Sequence, residues 1–316
     1  MEKGKIIVVE GKDCSGKETQ SKLLIDKLNK EGLRTGYIDF PHYTSPSGKI
    51  VGLSYLGKPY LAQELVDAHV PEVKRRLEKY QGIYDEEFIN QAVMLLAEEI
   101  GASLSLKELK EASKPTPQFA SLIACYIKDL VNNSLNILAE EMGVGWFPEG
   151  APNVPPKYAS GLYAGDRYYN KPIIESIIES GENLLIDRYI YSNMAHQGGK
   201  EGNRDKRMAL YEWDRKLELE MYELPPADIC IFLHMPTEYS AMLKRDRKEA
   251  LDEHERSTKH LQDAETAYLE VASLFDFTTV ECIGNRSNPI SKSDIKTEDE
   301  ISKEVFDIVT RKLTIR

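Results

Sequence analysis

The sequence predicts a doubly wound α/β core built on a five-stranded parallel sheet and interrupted by a helical insertion. Two observations carry this. Short apolar or β-branched runs (KIIVVE, RTGYIDF, ENLLIDR, ADICIFLHM and FTTVECI) alternate with stretches of helical periodicity. Between the second and third runs, residues 60–157 carry helical periodicity but no strand signal.

In chain order, KIIVVE is a buried strand and GKDCSGK a Gly-bearing turn. TQSKLLIDKLNKEG spaces Leu23, Leu24 and Leu28 as a helix does, with Gly32 as its stop. RTGYIDF completes a βαβ unit, which implies parallel strands and a right-handed crossover. In the insertion, LAQELVDAHVPEVKRRLEKY, DEEFINQAVMLLAEEI and QFASLIACYIKDLVNNSLNILAEEMG all repeat apolar residues at three and four. The Pro/Gly-rich GVGWFPEGAPNVPP closes it. Beyond the third strand, ADICIFLHM is stopped by Pro236, and helices are expected over 237–247 and 257–273. FTTVECI is the fifth strand, and a last helix over 298–313 opens on the acidic turn Glu298, Asp299, Glu300. The expected domains are a core of 1–59 and 158–316 and an insertion of 60–157.

A chain of 316 residues with 41% hydrophobic and 29% charged side chains is of ordinary globular composition. A formal charge of −11 argues against general nucleic-acid binding, which relies on clustered Lys and Arg, but leaves room for a local basic pocket. No apolar run approaches the roughly 18–20 residues of a membrane helix, and MEKGKIIVVEGKD turns polar too early for a signal peptide. Cys14, Cys125, Cys230 and Cys282 form no metal or redox spacing, and Cys230 and Cys282 fall in strand-like runs as core residues. The expected location is cytoplasmic.

Gly11-Lys12-Asp13-Cys14-Ser15-Gly16-Lys17 lies between a strand and a helix, where a phosphate-binding loop belongs. Glycines let the backbone curl so that successive N–H groups and the helix N-terminus face an anion, and Lys17 reaches the β and γ phosphates. The residue after the loop lysine is ordinarily Ser or Thr, a Mg²⁺ ligand; here it is Glu18, with Thr19 turned about 100° away. Glu18 either faces solvent and favours the helix N-terminus, or marks a lost metal ligand in a protein that binds nucleotide without catalysis.

EGKDCSGKETQ, FPHYTSPSGKIV, LYAGDRYY, DRYIYSNMAHQGG and DEHE occur in the order seen in thymidylate kinases, and the chain resembles that family over 1–59 and 158–316. The resemblance implies a P-loop NTPase fold and transfer of a phosphoryl group from ATP, with Mg²⁺, to a deoxynucleoside monophosphate, dTMP first. Another acceptor such as dUMP and a non-catalytic nucleotide-binding protein are the alternatives. It also implies a homodimer, with neither nucleic acid nor membrane as partner.

Carried over residue by residue, the resemblance gives an ATP-binding set of Gly11, Asp13, Cys14, Ser15, Gly16, Lys17, Glu18 and Thr19. Asp13 also resembles the acidic residue near the acceptor sugar and the metal. Phe40 and Pro41 match a turn lining the acceptor site, but Tyr43 stands where the family often has an Arg for the acceptor phosphate. Tyr163 matches a ring stacked on thymine and Arg167 a donor to the base, four residues apart and so on one helix face. Tyr163 also reads as an ordinary core aromatic. Asp187 is implied as a Mg²⁺ holder through water and Arg188 as a bridge between the phosphates; a purely structural Asp–Arg pair is the alternative. Asn193, His196 and Gln197 complete the acceptor set. The loop has no Arg, so the catalytic cations would come from a lid segment, 244–258: Arg245 and Arg247 first, with Lys248 and Arg256, and with Asp252 and Glu255 near its base.

Overall fold

The computed structural model describes residues 3–12, 14–58, 60–64, 67–68, 145–147, 149–244 and 258–314. The chain divides into two compact units, Met1–Lys58 with Gly145–Arg316, and Pro59–Val144. The sequence reading drew the insertion at 60–157; residues 145–147 and 149–157 fall within the first unit. In the second, residues 60–64 and 67–68 are helical, and the remaining predicted insertion helices lie outside the described residues.

In the first unit, β1 (Ile6–Glu10) leads to α1 (Lys17–Lys30) and β2 (Thr35–Asp39), followed by the short α2 (Pro46–Ile50) and a π-helical turn at Val51–Tyr55. Next come α3 (Pro156–Glu179), β3 (Asn183–Asp187), α4 (Ile190–Gly198) and α5 (Arg204–Arg215), the last running on into a π-helical turn, Lys216–Met221. β4 (Ile229–His234), α6 (Thr237–Lys244), α7 (Thr258–Leu274), β5 (Thr278–Glu281) and α8 (Glu298–Thr314) complete it. The sheet has five strands, all parallel, in the order β2-β3-β1-β4-β5. This is the predicted architecture.

Both faces of the sheet are covered, which is why β1 is buried along its whole length rather than alternately. Ile6 and Val8 pack on one side with Ile174 and Ile178 of α3, Met194 of α4 and Val271 of α7. Ile7 and Val9 pack on the other with Leu24 and Leu28 of α1, Tyr239 of α6 and Ile301 and Val305 of α8. The predicted stop of α1 is present: Gly32 takes a left-handed φ of 78° and its N–H donates to the Asn29 carbonyl. α8 begins with a reciprocal cap, Glu300 N–H donating to Thr297 Oγ1 and Thr297 N–H to Glu300 Oε2.

A third, smaller cluster joins Val51, Tyr55 and Leu56 to Ala151, Val154 and Ala159. Lys200 Nζ ties it to the end of α4 by donating to the Ala151 and Val154 carbonyls and to the Tyr55 hydroxyl. Residues 151–154 are thereby fastened immediately before α3.

Ile231 is fully buried in β4. Ile231→Ala is expected to cost about 2–5 kcal/mol of stability, measured by urea denaturation.

Candidate functional site

The carboxyl ends of β1 and β3 lie side by side, with Val9 in register with Asp187. That edge of a parallel sheet is where α/β folds bind ligands, because the loops leaving it diverge. Residues 11–17 leave β1 there, and the Asp187-Arg188-Tyr189 corner leaves β3.

The loop after β1 is shaped by its glycines. A Cβ on Gly11 would stand 2.6 Å from Ser15 Oγ and 2.8 Å from the Leu233 carbonyl, so only glycine fits. Gly16, the N-cap of α1, and Cys14 have φ of 79° and 62°. Ser15 N–H donates back to the Lys12 carbonyl, and Lys17 Nζ reaches the same oxygen at 3.3 Å. The buried Ser15 hydroxyl has no hydrogen-bond partner. Glu18 and Thr19 are both exposed at the start of α1, and the Glu18 carboxylate accepts from Lys22 at 2.5 Å. Asp13 lies outside the described residues.

At the opposite lip, Asp187 is 7% exposed and its Oδ1 has no hydrogen-bond partner. Burial pushes its carboxyl up, and Lys17 and Arg188 oppose that shift. Arg188 takes a left-handed φ of 63°, and its Nη1 donates to His196 Nε2 at 3.0 Å. The His196 ring stands edge-on to Tyr268. Among the described residues no three His, Cys, Asp or Glu side chains are grouped to hold a metal. One unpartnered carboxylate oxygen beside a phosphate loop nevertheless fits Mg²⁺, which takes one or two protein carboxylates together with substrate phosphates and water.

The residues expected at an acceptor site lie on α3 and α4 and on the turn after β2. Phe40 is buried and its peptide bond to Pro41 is cis. Asp166 fixes this turn, accepting from His42 N–H at 2.8 Å and Ser47 Oγ at 2.6 Å. Tyr43 has the Lys58 ammonium 5.6 Å from its ring centre. Tyr163, half-buried, meets Tyr55 edge-on at 5.6 Å between centroids. Arg167, 2% exposed, lies over Phe40 and is held by Glu218, with Nε donating to Oε2 at 2.5 Å and Nη2 to Oε1 at 2.7 Å.

Glu218 also accepts from Asn193 Nδ2 at 3.1 Å, while the same amide donates to the Ser160 carbonyl. The Asn193 amide is thereby oriented, leaving its Oδ1 without a partner. Both amide atoms of Gln197 and both carboxylate oxygens of Asp214 are likewise buried and unpartnered.

Sequence reasoning missed Glu10, Asp166, Asp214, Glu218 and Glu265. Glu10 stands inside EGKDCSGKETQ and Asp166 inside LYAGDRYY; the other three carry no local signal. Arg245, Arg247, Lys248, Asp252, Glu255 and Arg256 lie outside the described residues. Cys230 and Cys282 are buried as expected, and burial pushes both thiols up to about 12.

Comparison with known proteins bears on this geometry. The family model described as thymidylate kinase matches residues 151–295. The chain is 36% identical over 91 residues to the thymidylate kinase of Schizosaccharomyces pombe, covering 29% of this chain and 41% of that protein. It is 31% identical over 121 residues to the thymidylate kinase of Limosilactobacillus fermentum, covering 36% of this chain and 52% of that protein. The chain thus spans about half or less of the length of these curated relatives. A solved structure of thymidylate kinase from Candida albicans aligns with a TM-score of 0.52 over 98% of this chain and 92% of that one; at 17% identity this likeness carries the fold alone.

Asp214 supplies a pH prediction. Burial, and then the Glu218 charge, raise its carboxyl to about 8, against the pull of Ser160, Arg167 and Lys157. Between the unfolded value of ~3.9 and this raised one, the native state holds a proton that the unfolded state has lost. Stability attributable to Asp214 therefore falls as pH rises through that window, by up to ~1.4 kcal/mol per pH unit. Thermal unfolding of Asp214→Asn beside wild type across this range is expected to show the variant free of that decline.

Proposed function

We propose that this chain is a member of the thymidylate kinase family and uses ATP to phosphorylate a deoxynucleoside monophosphate, dTMP to dTDP first. One observation carries this reading: the glycine-shaped loop with Lys17 and the Asp187-Arg188 corner stand on neighbouring strand ends in register. Phosphoryl transfer needs two anionic substrates held in line and cations around the transferred group, with little proton chemistry from the protein.

In this reading Gly11, Cys14, Ser15 and Gly16 cradle the ATP phosphates at the start of α1, and Lys17 neutralises the β and γ phosphates. Glu18 pairs with Lys22, and its charge also reaches Asp187. An oxygen of the acceptor phosphate attacks the γ phosphorus. The new P–O bond forms as the bond to the β-bridging oxygen breaks, and ADP carries away that electron pair. Arg188 spans the two reacting phosphates from its strained corner. Asp187, with Asp13, would hold Mg²⁺, which when bound neutralises charge on the β and γ phosphates. Arg245 and Arg247 supply the remaining cations.

The base lies against Tyr163 and Arg167, with His196 at the sugar and Gln197 behind it. Asn193 presents Oδ1 because its amide nitrogen is already committed, and an N–H at the edge of thymine or uracil suits that acceptor. Lys58 and Tyr43 take the acceptor phosphate in place of the family's Arg. The same reading includes a cytoplasmic homodimer, for which the exposed Tyr169 and Ile173 of α3 and Met221 supply apolar surface.

A coupled ADP-release assay over a panel of nucleoside monophosphates tests the reading, with dTMP expected as the best acceptor. ATP binding without turnover on any acceptor would sink it. Lys17→Ala is expected to lower kcat at least about a hundredfold.

A further inference from the structure

Lys12, the second residue of the phosphate loop, does not face outward with its charge. Its side chain is 2% exposed, and its ammonium donates to Glu265 Oε2 at 2.8 Å and to Thr237 Oγ1 at 2.5 Å. Glu265, on α7, also accepts from the Thr237 N–H at 2.8 Å, at the first residue of α6. Its second oxygen faces His234 Nε2 at 3.1 Å, and His234 Nδ1 faces Glu281 at 2.9 Å. Burial works against the Glu265 charge, yet His234, Lys12 and Thr237 together hold its carboxyl well below the usual carboxylate range. Lys12, Thr237 and His234 thus converge on one carboxylate.

One carboxylate therefore joins three parts of the chain: the phosphate loop, the end of β4 with the start of α6, and α7. Glu265 thus ties the first residue of α6 (Thr237–Lys244) and the body of α7 (Thr258–Leu274), the two helices that flank residues 245–257, to the loop. The backbone carbonyl of Lys12 is also the oxygen that Lys17 Nζ reaches. Displacing the Lys12 side chain would thus move the carbonyl that orients the loop lysine.

We propose that Glu265 is a positioning residue for the donor phosphates, holding Lys12, and through it Lys17, in register with the helices that flank residues 245–257. This rests on reading residues 11–17 as the ATP phosphate loop. A buried ammonium left without its carboxylate is costly, so Glu265→Gln is expected to distort the loop rather than leave it in place. The acceptor side, held by Asp166 and Glu218, uses none of these contacts and should be spared.

Calorimetric titration of the full chain with ATP, and separately with dTMP, needs no turnover. The expected result for Glu265→Gln is an ATP Kd raised at least about tenfold, with the dTMP Kd within about twofold of wild type. The double variant Lys12→Met with Glu265→Leu removes the pair without stranding a buried charge and is expected to regain thermal stability. Under this proposal it does not regain ATP affinity. An unchanged or tighter ATP Kd in Glu265→Gln, equal weakening for both nucleotides, or recovery of ATP binding along with stability in the double variant overturns it. Wild-type protein that binds no ATP would instead refute the kinase reading beneath it.

Discussion

The site depends on a buried carboxylate, Glu10, at the last residue of β1. It is fully buried, and Oε1 accepts from the Tyr189 N–H at 2.8 Å and the Ser192 N–H at 3.1 Å. Oε2 accepts from the hydroxyls of Ser192 and Tyr268. Tyr189 is the N-cap of α4 and has no side-chain cap of its own, so Glu10 caps that helix from a neighbouring strand. Burial pushes the Glu10 carboxyl up; the Ser192 and Tyr189 hydrogen bonds and the Arg188 charge oppose that. The next residue is Gly11, and the residue before Tyr189 is Arg188. A single side chain thus fixes the distance between the loop proposed for ATP and the corner proposed to bridge the phosphates. It also holds Arg188 in a left-handed backbone conformation that costs of order 1–3 kcal/mol.

Other carboxylates, buried or half-buried, repeat this device around the site. Asp166 fastens the Phe40–Pro41 turn to α3, Glu218 clamps Arg167 and orients Asn193, and Glu265 anchors Lys12. Each leaves a defined group facing the site: an amide oxygen, a loop lysine, a turn backbone. The cost of burying charge is offset by several donors converging on each carboxylate, the condition under which buried ionic groups hold a single geometry. Asp214 departs from that pattern: burial and the Glu218 charge outweigh the pull of Ser160, Arg167 and Lys157 and raise its carboxyl.

The sheet was readable in the sequence because its signal is local. A strand buried on both faces is a short apolar run, and all five runs became strands within a few residues of their expected limits. The loop after β1, the Gly32 stop and the acidic start of α8 were readable for the same reason. The carboxylates that organise the site were not, because their partners are distant in the chain: Glu10 lies 179 residues from Tyr189, and Lys12 lies 253 from Glu265. Nothing near Arg167 in the sequence announces its partner Glu218, 51 residues on. The end of the insertion was misjudged locally as well. GVGWFPEGAPNVPP reads as a terminator by composition, yet Ala151 and Val154 belong to a core cluster that includes Val51 and Tyr55.

In the proposed function, donor and acceptor phosphates meet between the loop after β1 and the corner after β3. A crystal structure with adenosine and thymidine joined through a five-phosphate bridge tests this. One molecule is expected to span the site, its phosphates touching Lys17 and Arg188 and its thymine edge against Asn193 and Arg167. A compound bound through its adenosine alone, with the thymidine half away from α3 and α4, would contradict it.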